Sequence, residues 1–283
     1  MRSVKLTIAA GAATLLSQAA FAADMAIAPP PQMYAPPPVV EDFGGWYLRG
    51  DIGFSNQSVK KRDYYSYPAL ASLNQQSGFD TGGIFGVGVG YKFNNWFRAD
   101  VTGQYRGNAN FHGFDRTSYS DTGTLQFGSD NYSASKSEWL VLANGYVDLG
   151  TWWCVTPFVG AGVGMSRNTI SNFTDQGANG TFQFGTVPGF ASASTASKWN
   201  FAWALHTGLA YKISPNVTLE LGYSYVNLGD GVTGELVTKD GFGAGQGHVM
   251  TFKDITSHDL KLGVRWNLDS PQPVYQQPLV RKG

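Results

Sequence analysis

Between Trp46 and Leu268 apolar and polar residues alternate with a period of two, over segments of about ten residues separated by turns or long polar stretches. The last segment is the clearest. Leu260, Leu262, Val264, Trp266 and Leu268 fall on one face, and Asp259, Lys261, Arg265 and Asn267 on the other. A period of two is the mark of a β-strand whose two faces meet different surroundings. Eight such segments behind a secretory leader, with aromatic residues at their ends, predict apolar faces turned to lipid and polar faces turned inward. The expected fold is all-β: an eight-stranded antiparallel up-and-down transmembrane β-barrel over residues 44–268. Both termini would lie on the periplasmic side, and the last strand would pair with the first.

The first strand is read from Trp46 to about Ser55, with Trp46, Leu48, Ile52 and Phe54 outward and Tyr47, Arg49, Asp51 and Gly53 inward. The second is Gly83–Phe93, followed by a tight turn at Asn94-Asn95, and the third is Trp96–Arg106 with Arg98, Asp100, Thr102 and Gln104 inward. The fourth, about Ser135–Leu149, is less regular: Leu140 and Leu142 turn inward if Trp139, Val141 and Val147 face lipid. The fifth is Pro157–Ser166, where Pro157 is tolerated only as an opening residue. Lys198–Tyr211, Val217–Tyr225 and the closing segment complete the set.

The connections alternate in length. Asn94-Asn95, Gly150–Thr156 and Lys212–Asn216 are short, whereas 56–82, 107–134, 167–197 and 226–254 are long and read as extracellular loops. All eight Trp residues lie in strands or short turns. Trp46, Trp96, Trp152, Trp153 and Trp266 gather at the periplasmic rim as an interfacial aromatic girdle. A soluble lipocalin-like barrel has the same strand count but does not require such a band.

The N-terminus sets the compartment. Arg2 and Lys5 precede an apolar run from Leu6 to Leu16, and Ala20-Phe21-Ala22 supplies an A-x-A cleavage site, so residues 1–22 read as a signal peptide. The run is too short for a spanning helix, which needs about 20 apolar residues. Removing it lowers Lys+Arg from 20 to 18 against 20 Asp+Glu, and such a chain lacks the cationic surplus that nucleic acid demands. Pro29-Pro30-Pro31 and Pro36-Pro37-Pro38 make 23–43 a Pro-rich periplasmic linker, and 269–283, with Pro271, Pro273 and Pro278, a flexible periplasmic tail. Cys154 is the only cysteine, which excludes a disulfide framework; it is expected semi-buried beside Trp152 and Trp153.

Inward-facing charges collect near one end of the predicted barrel: Arg49, Asp51, Lys92, Arg98, Asp100, Glu220, Lys261 and Arg265. Unpaired charges in a narrow lumen are costly, so these residues are expected to form a barrel-interior charge network. Glu220 would pair with Arg265 or Lys261, and Arg98 and Asp100 would join Arg49 and Asp51. Inward glycines at period two (Gly86, Gly88, Gly90 and Gly160, Gly162, Gly164) leave room for long neighbouring side chains and lack the turn of a nucleotide loop. His112, His206, His248 and His258 are scattered without metal-ligand spacing. His206 could meet Ser224 and Glu220 of the next strand in a Ser/His/Glu arrangement, but a structural, hydrogen-bonded His206 is the simpler reading. No catalytic, cofactor or metal residue is assigned.

Phe43-Gly44-Gly45-Trp46-Tyr47-Leu48-Arg49-Gly50-Asp51-Ile52-Gly53 resembles the first strand of the small outer-membrane barrels that include OmpA-barrel-like, opacity-type and RopB-like proteins. Thr156–Gly164 resembles that family's fifth strand, and Leu260–Leu268 its closing strand. The resemblance implies an outer-membrane location in a Gram-negative bacterium. It also implies a non-enzymatic structural or envelope role, with a small-solute pore and, further off, a lipid-modifying enzyme as alternatives. The expected partners are outer-membrane lipids and lipopolysaccharide, the barrel-assembly machinery, and an extracellular ligand reached through the four long connections. Members of the family often end on the last strand's aromatic residue, whereas 15 residues follow Leu268 here.

Overall fold

Alternation of side chains across a pleated strand leaves each strand one apolar and one polar face to satisfy, and only a closed sheet hides both backbone edges from lipid. In the computed structural model, residues 44–63, 70–121, 123–181, 185–239 and 247–268 are described. The leader 1–22, the linker 23–43 and the tail 269–283 lie outside the described residues. Among the described residues there are eleven strands: β1 (Gly45–Asp63), β2 (Leu70–Phe79), β3 (Gly82–Lys92), β4 (Phe97–Asp121), β5 (Thr124–Asp148), β6 (Val155–Thr181), β7 (Gly185–Ala193), β8 (Ala196–Lys212), β9 (Val217–Val232), β10 (Leu236–Thr238) and β11 (Thr251–Asn267).

Eight of them close a ring. β1 pairs with β3, β3 with β4, β4 with β5, β5 with β6, β6 with β8, β8 with β9, β9 with β11, and β11 returns to β1, every pair antiparallel. The closing register sets Leu48 opposite Trp266 and Phe54 opposite Leu260. The chain is therefore an eight-stranded up-and-down β-barrel. Its short turns fall where the alternation stops; the Asn94 side chain accepts from the backbone N–H of Trp96 (3.0 Å) and Phe97 (2.7 Å) and pins the first of them.

The outer face of the ring is apolar. Leu48, Ile52, Phe54, Phe85, Val87, Val101, Val141, Val163, Leu205, Leu221 and Leu262 are all exposed. So large an apolar surface on every strand suits hydrocarbon, not water. In the fourth ring strand, Leu140 and Leu142 point inward and are fully buried while Trp139 and Val141 point out. Aromatic residues bound the apolar band on both sides. Near the turns, Trp46 packs edge-on against Tyr91 (5.3 Å) and Phe93 stacks on Phe97 (5.4 Å). Eight residues further along the strands, Tyr105 meets Trp139 (5.0 Å) and Trp203 meets Tyr225 (5.6 Å). Eight residues of tilted strand rise by about 20 Å, close to the height of an outer-membrane apolar band.

The long connections are mainly strand, which corrects the loop reading of 56–82, 107–134, 167–197 and 226–254. β4, β5 and β6 continue far beyond the outer aromatic belt, and β2, β7 and β10 add to them. Here the ring divides into two leaves. One runs β2–β4–β5–β6–β7–β10 and the other β1–β11–β9. Bulges mark the transition: β4 carries an extra residue between Arg106 and Ala109, and β6 carries one between Ser171 and Thr174, opposite Ser133–Ser135 of β5. Asn172 on β6 and Asp254 on β11 take up left-handed backbone (φ 52° and 51°). Each extra residue exchanges the inward and outward faces, so that Arg106 and Phe111 both point inward although one is even-numbered and the other odd.

Candidate functional site: a filled lumen beneath an extracellular β-extension

Parity places eight ionisable side chains in the lower lumen, and ring closure decides their partners. Arg49 on β1 bonds its neighbour Asp51 (2.8 Å) and reaches Asp100 on β4 (2.9 Å) and Glu220 on β9 (3.5 Å). Glu220 also lies 3.2 Å from Arg98 and 3.0 Å from Arg265, and Arg98 lies 3.3 Å from Asp148. Arg98 further sits over the Tyr146 ring (4.2 Å), and Tyr47 donates to Asp100 (3.1 Å). Lys261 is buried on the same face of β11. Lys92 sits half-buried at the last position of β3. Five cations (Arg49, Lys92, Arg98, Lys261, Arg265) thus share this layer with four anions (Asp51, Asp100, Asp148, Glu220).

Close approach of backbones makes room for these side chains. A Cβ on Gly88 would lie 3.0 Å from Cγ of Arg49, and one on Gly90 would collide with the Tyr47 ring. His206 is set by Ser224 on its Nδ1 side (2.8 Å) and Asn144 on its Nε2 side (3.1 Å). Glu220 is engaged by arginines instead of completing a Ser/His/Glu arrangement, and Ser224 is buried. Cys154 is exposed in the tight β5–β6 turn rather than semi-buried, and both it and Trp153 take left-handed backbone there (φ 68° and 49°). Trp46, Trp96, Trp152, Trp153 and Trp266 are all exposed at the turn end of the ring.

The sequence reading missed a second ion layer and all of an apolar layer but Leu140 and Leu142. Arg106 lies 2.7 Å from Asp259 and 2.9 Å from Glu138, Lys136 pairs with Glu138 and bonds Gln57 (2.9 Å), and Ser55 and Ser257 share a 2.8 Å hydrogen bond beside them. An apolar plug brackets this layer, with Leu140 and Leu142 on the turn side of Glu138 on β5 and Phe111 beyond Arg106 on β4. Phe79, Phe111, Leu140, Leu142, Ile170, Phe173, Leu228, Phe252 and Ile255 are buried in one cluster across the lumen. Parity could have found the ion layer, since Gln104 and Arg106 share a face. Parity gives Leu140 and Leu142, whereas Phe111, Phe173 and Phe252 lie beyond bulges, where sequence parity no longer carries over.

On the outside of the larger leaf, above the belt, β2, β4, β5 and β6 line a groove of ≈ 590 Å³. Gln76, His112, Phe114, Asn131, Ser133, Thr174 and Gln176 point into it. Phe111-His112-Gly113-Phe114, expected in a loop, lies on strand β4, with Phe111 in the plug and Phe114 in the groove.

A closed ring with an apolar exterior, paired aromatic belts and a polar, ion-paired lower lumen defines an integral outer-membrane β-barrel. The chain belongs to the outer membrane protein β-barrel domain family, whose model matches residues 8–267. Among its relatives, an uncharacterized protein of Brucella abortus (strain 2308) is 31% identical over 232 residues, covering 75% of this chain and 77% of that one. The outer membrane protein PagN of Salmonella typhimurium is 28% identical, covering 78% and 89% of the two chains. A Rickettsia prowazekii protein named as a candidate adhesin is 30% identical, covering 79% and 87%. Among solved structures, Neisserial surface protein A superposes with a TM-score of 0.40 at 16% identity, over 79% of this chain and 97% of that one. The location that follows is the outer membrane of a Gram-negative bacterium.

Proposed function

We propose that this protein is a non-enzymatic outer-membrane anchor whose extracellular β-extension recognises surface ligands. The observation that carries this reading is the contrast between the two halves of the molecule. The membrane half is occupied from wall to wall by ion pairs and then by the apolar plug. An eight-stranded ring has room for such side chains and little else. The outer half carries most of the length of β4, β5 and β6 beyond the belt, a large investment of chain in a surface that faces the medium. The relationship to PagN and to a protein named as a candidate adhesin supports the same division of labour.

Planar-bilayer recording of the refolded protein, together with binding of cells that display it to a second cell surface, tests the proposal. Adherence without steady openings is the expected result. Stable ohmic openings in the intact protein would favour the small-solute pore and overturn the anchor reading.

A further inference from the structure

We propose that the groove on the outward face of the extension binds the oligosaccharide headgroup of a glycolipid standing beside the barrel in the same outer leaflet. This site is distinct from any ligand engaged by the tips of the extension, and it stands or falls separately from the adhesive reading.

One row of cross-strand partners forms the floor of the groove. Gln76 on β2 is opposite Phe114 on β4, Phe114 is opposite Asn131 on β5, Asn131 is opposite Gln176 on β6, and Gln176 is opposite Phe190 on β7. Cross-strand partners point to the same side of a sheet. The row therefore presents ring, amide, amide, ring across the outer surface, with a further amide beyond Phe114. Phe190 is 38% exposed, while its neighbour Ala191 is buried on the inner side. The next row adds hydroxyls, where Ser133 and Thr174 share a 2.7 Å hydrogen bond.

These residue types suit a sugar. Each amide offers two donors and an acceptor in a plane, matching adjacent hydroxyls of a pyranose. Each ring offers an apolar face with negative quadrupole to the C–H face of the sugar. The two rings lie three strand spacings apart, about 14 Å, a span that a short oligosaccharide covers and a monosaccharide does not. The centre of the row holds no ionisable group. Charge stands at the margin, where Arg116 sits 5.5 Å over the Phe114 ring and His112 lies 3.8 Å from Asp80. Arg116 would meet a phosphate or acidic substituent on the sugar. A groove of ≈ 590 Å³ falls within the ordinary range of ligand sites, about 300–1,000 Å³.

Its direction chooses the source. The row lies on the continuation of the lipid-facing side of the wall, eight residues of β5 beyond Trp139 in the outer belt. It therefore looks sideways, over the polar surface of the leaflet, where the headgroup of a neighbouring glycolipid stands.

Saturation-transfer NMR in lauryldimethylamine oxide micelles, which carry no sugar, tests the site on the full mature chain. Two probes are used: the core oligosaccharide released from rough lipopolysaccharide by mild acid, and maltotriose. The core oligosaccharide is expected to bind, and the paired substitution Asn131→Ala with Gln176→Ala, and separately Phe114→Ala, each to weaken it at least tenfold. Leu125→Ala, further out on the same face, should leave binding unchanged, and heat-modifiable gel mobility confirms folding of every variant. No saturation transfer, or equal binding in the variants, would overturn the site. Equally tight binding of maltotriose would overturn the glycolipid as its source.

Discussion

Arg106 on β4 and Asp259 on β11 meet at 2.7 Å although two strands, β3 and β1, separate them around the ring. Both side chains are almost wholly buried, and Glu138 lies 2.9 Å from the same guanidinium. The pair is a strut across the lumen, available only once the ring has closed. Removing one partner leaves a buried charge uncompensated, which typically costs about 3–5 kcal/mol. Arg106→Ala is therefore expected to lower the urea midpoint of the refolded barrel markedly. Arg106→Met combined with Asp259→Leu should recover much of the loss, because the two buried charges are then removed together. Equal midpoints for Arg106→Ala and the unaltered protein would show that the strut contributes nothing.

The space required by the lower ion layer gives a second test. Gly90→Ala places a methyl group against the Tyr47 ring, whose hydroxyl donates to Asp100. Overpacking of this kind costs about 1–3 kcal/mol. Tyr47→Phe should not relieve it, because the clash is with the ring, whereas Tyr47→Ala in the Gly90→Ala background should relieve part of it. Unfolding midpoints of the three variants measure the difference.

Why some of this was legible and some not follows from the surroundings of each segment. Between the two belts lipid demands an apolar residue at every second position, so Leu260, Leu262 and Val264 announce their strand. That constraint also fixes which charges point inward, and Arg49, Arg98 and Glu220 follow from parity alone. It does not say which of them meet, since Arg49 and Asp100 become neighbours only through closure of the ring. Beyond the belts the outward face is wet, and Asn108, Asn110 and His112 are then indistinguishable from loop residues. Bulges at Arg106/Ala109 and at Asn172 reverse the parity there. Phe111 and Phe173 thus read as loop aromatics although they fill the lumen.

The boundary between lipid and medium is itself testable. Val101 is exposed between the belts, opposite Val89 and Ala143, whereas Asn110 is exposed beyond the bulge of β4. An arginine facing lipid near mid-membrane costs about 2–4 kcal/mol, falling towards zero at the interface. Val101→Arg should accordingly reduce stability in lipid vesicles by that amount, and Asn110→Arg should leave it nearly unchanged. Equal effects would place the apolar band elsewhere on the wall.

The last prediction concerns pH and the extension. Asp130 on β5 lies opposite Asp115 on β4, and Gly177 flanks it on β6. Both aspartates lie beyond the outer belt. Burial, with the neighbouring charge of Asp115 added, pushes the Asp130 carboxyl up to about 6. Burial also raises Asp115, partly offset by its ion pair with Arg62. A carboxyl whose folded value exceeds its unfolded one binds more protons in the folded state. Its favourable contribution is then complete below the unfolded value near pH 4 and is lost as pH rises through about 6. The extension should be more resistant to proteolysis and hydrogen exchange at pH 5 than at pH 7.5. Asp130→Asn should remove most of that difference and stabilise the extension at neutral pH by about 1–2 kcal/mol. The same substitution should leave the membrane-embedded half untouched, because none of the ion pairs of Arg49, Arg98 or Arg106 involves Asp130. Unchanged pH dependence in Asp130→Asn would locate the sensitivity in Asp115 instead.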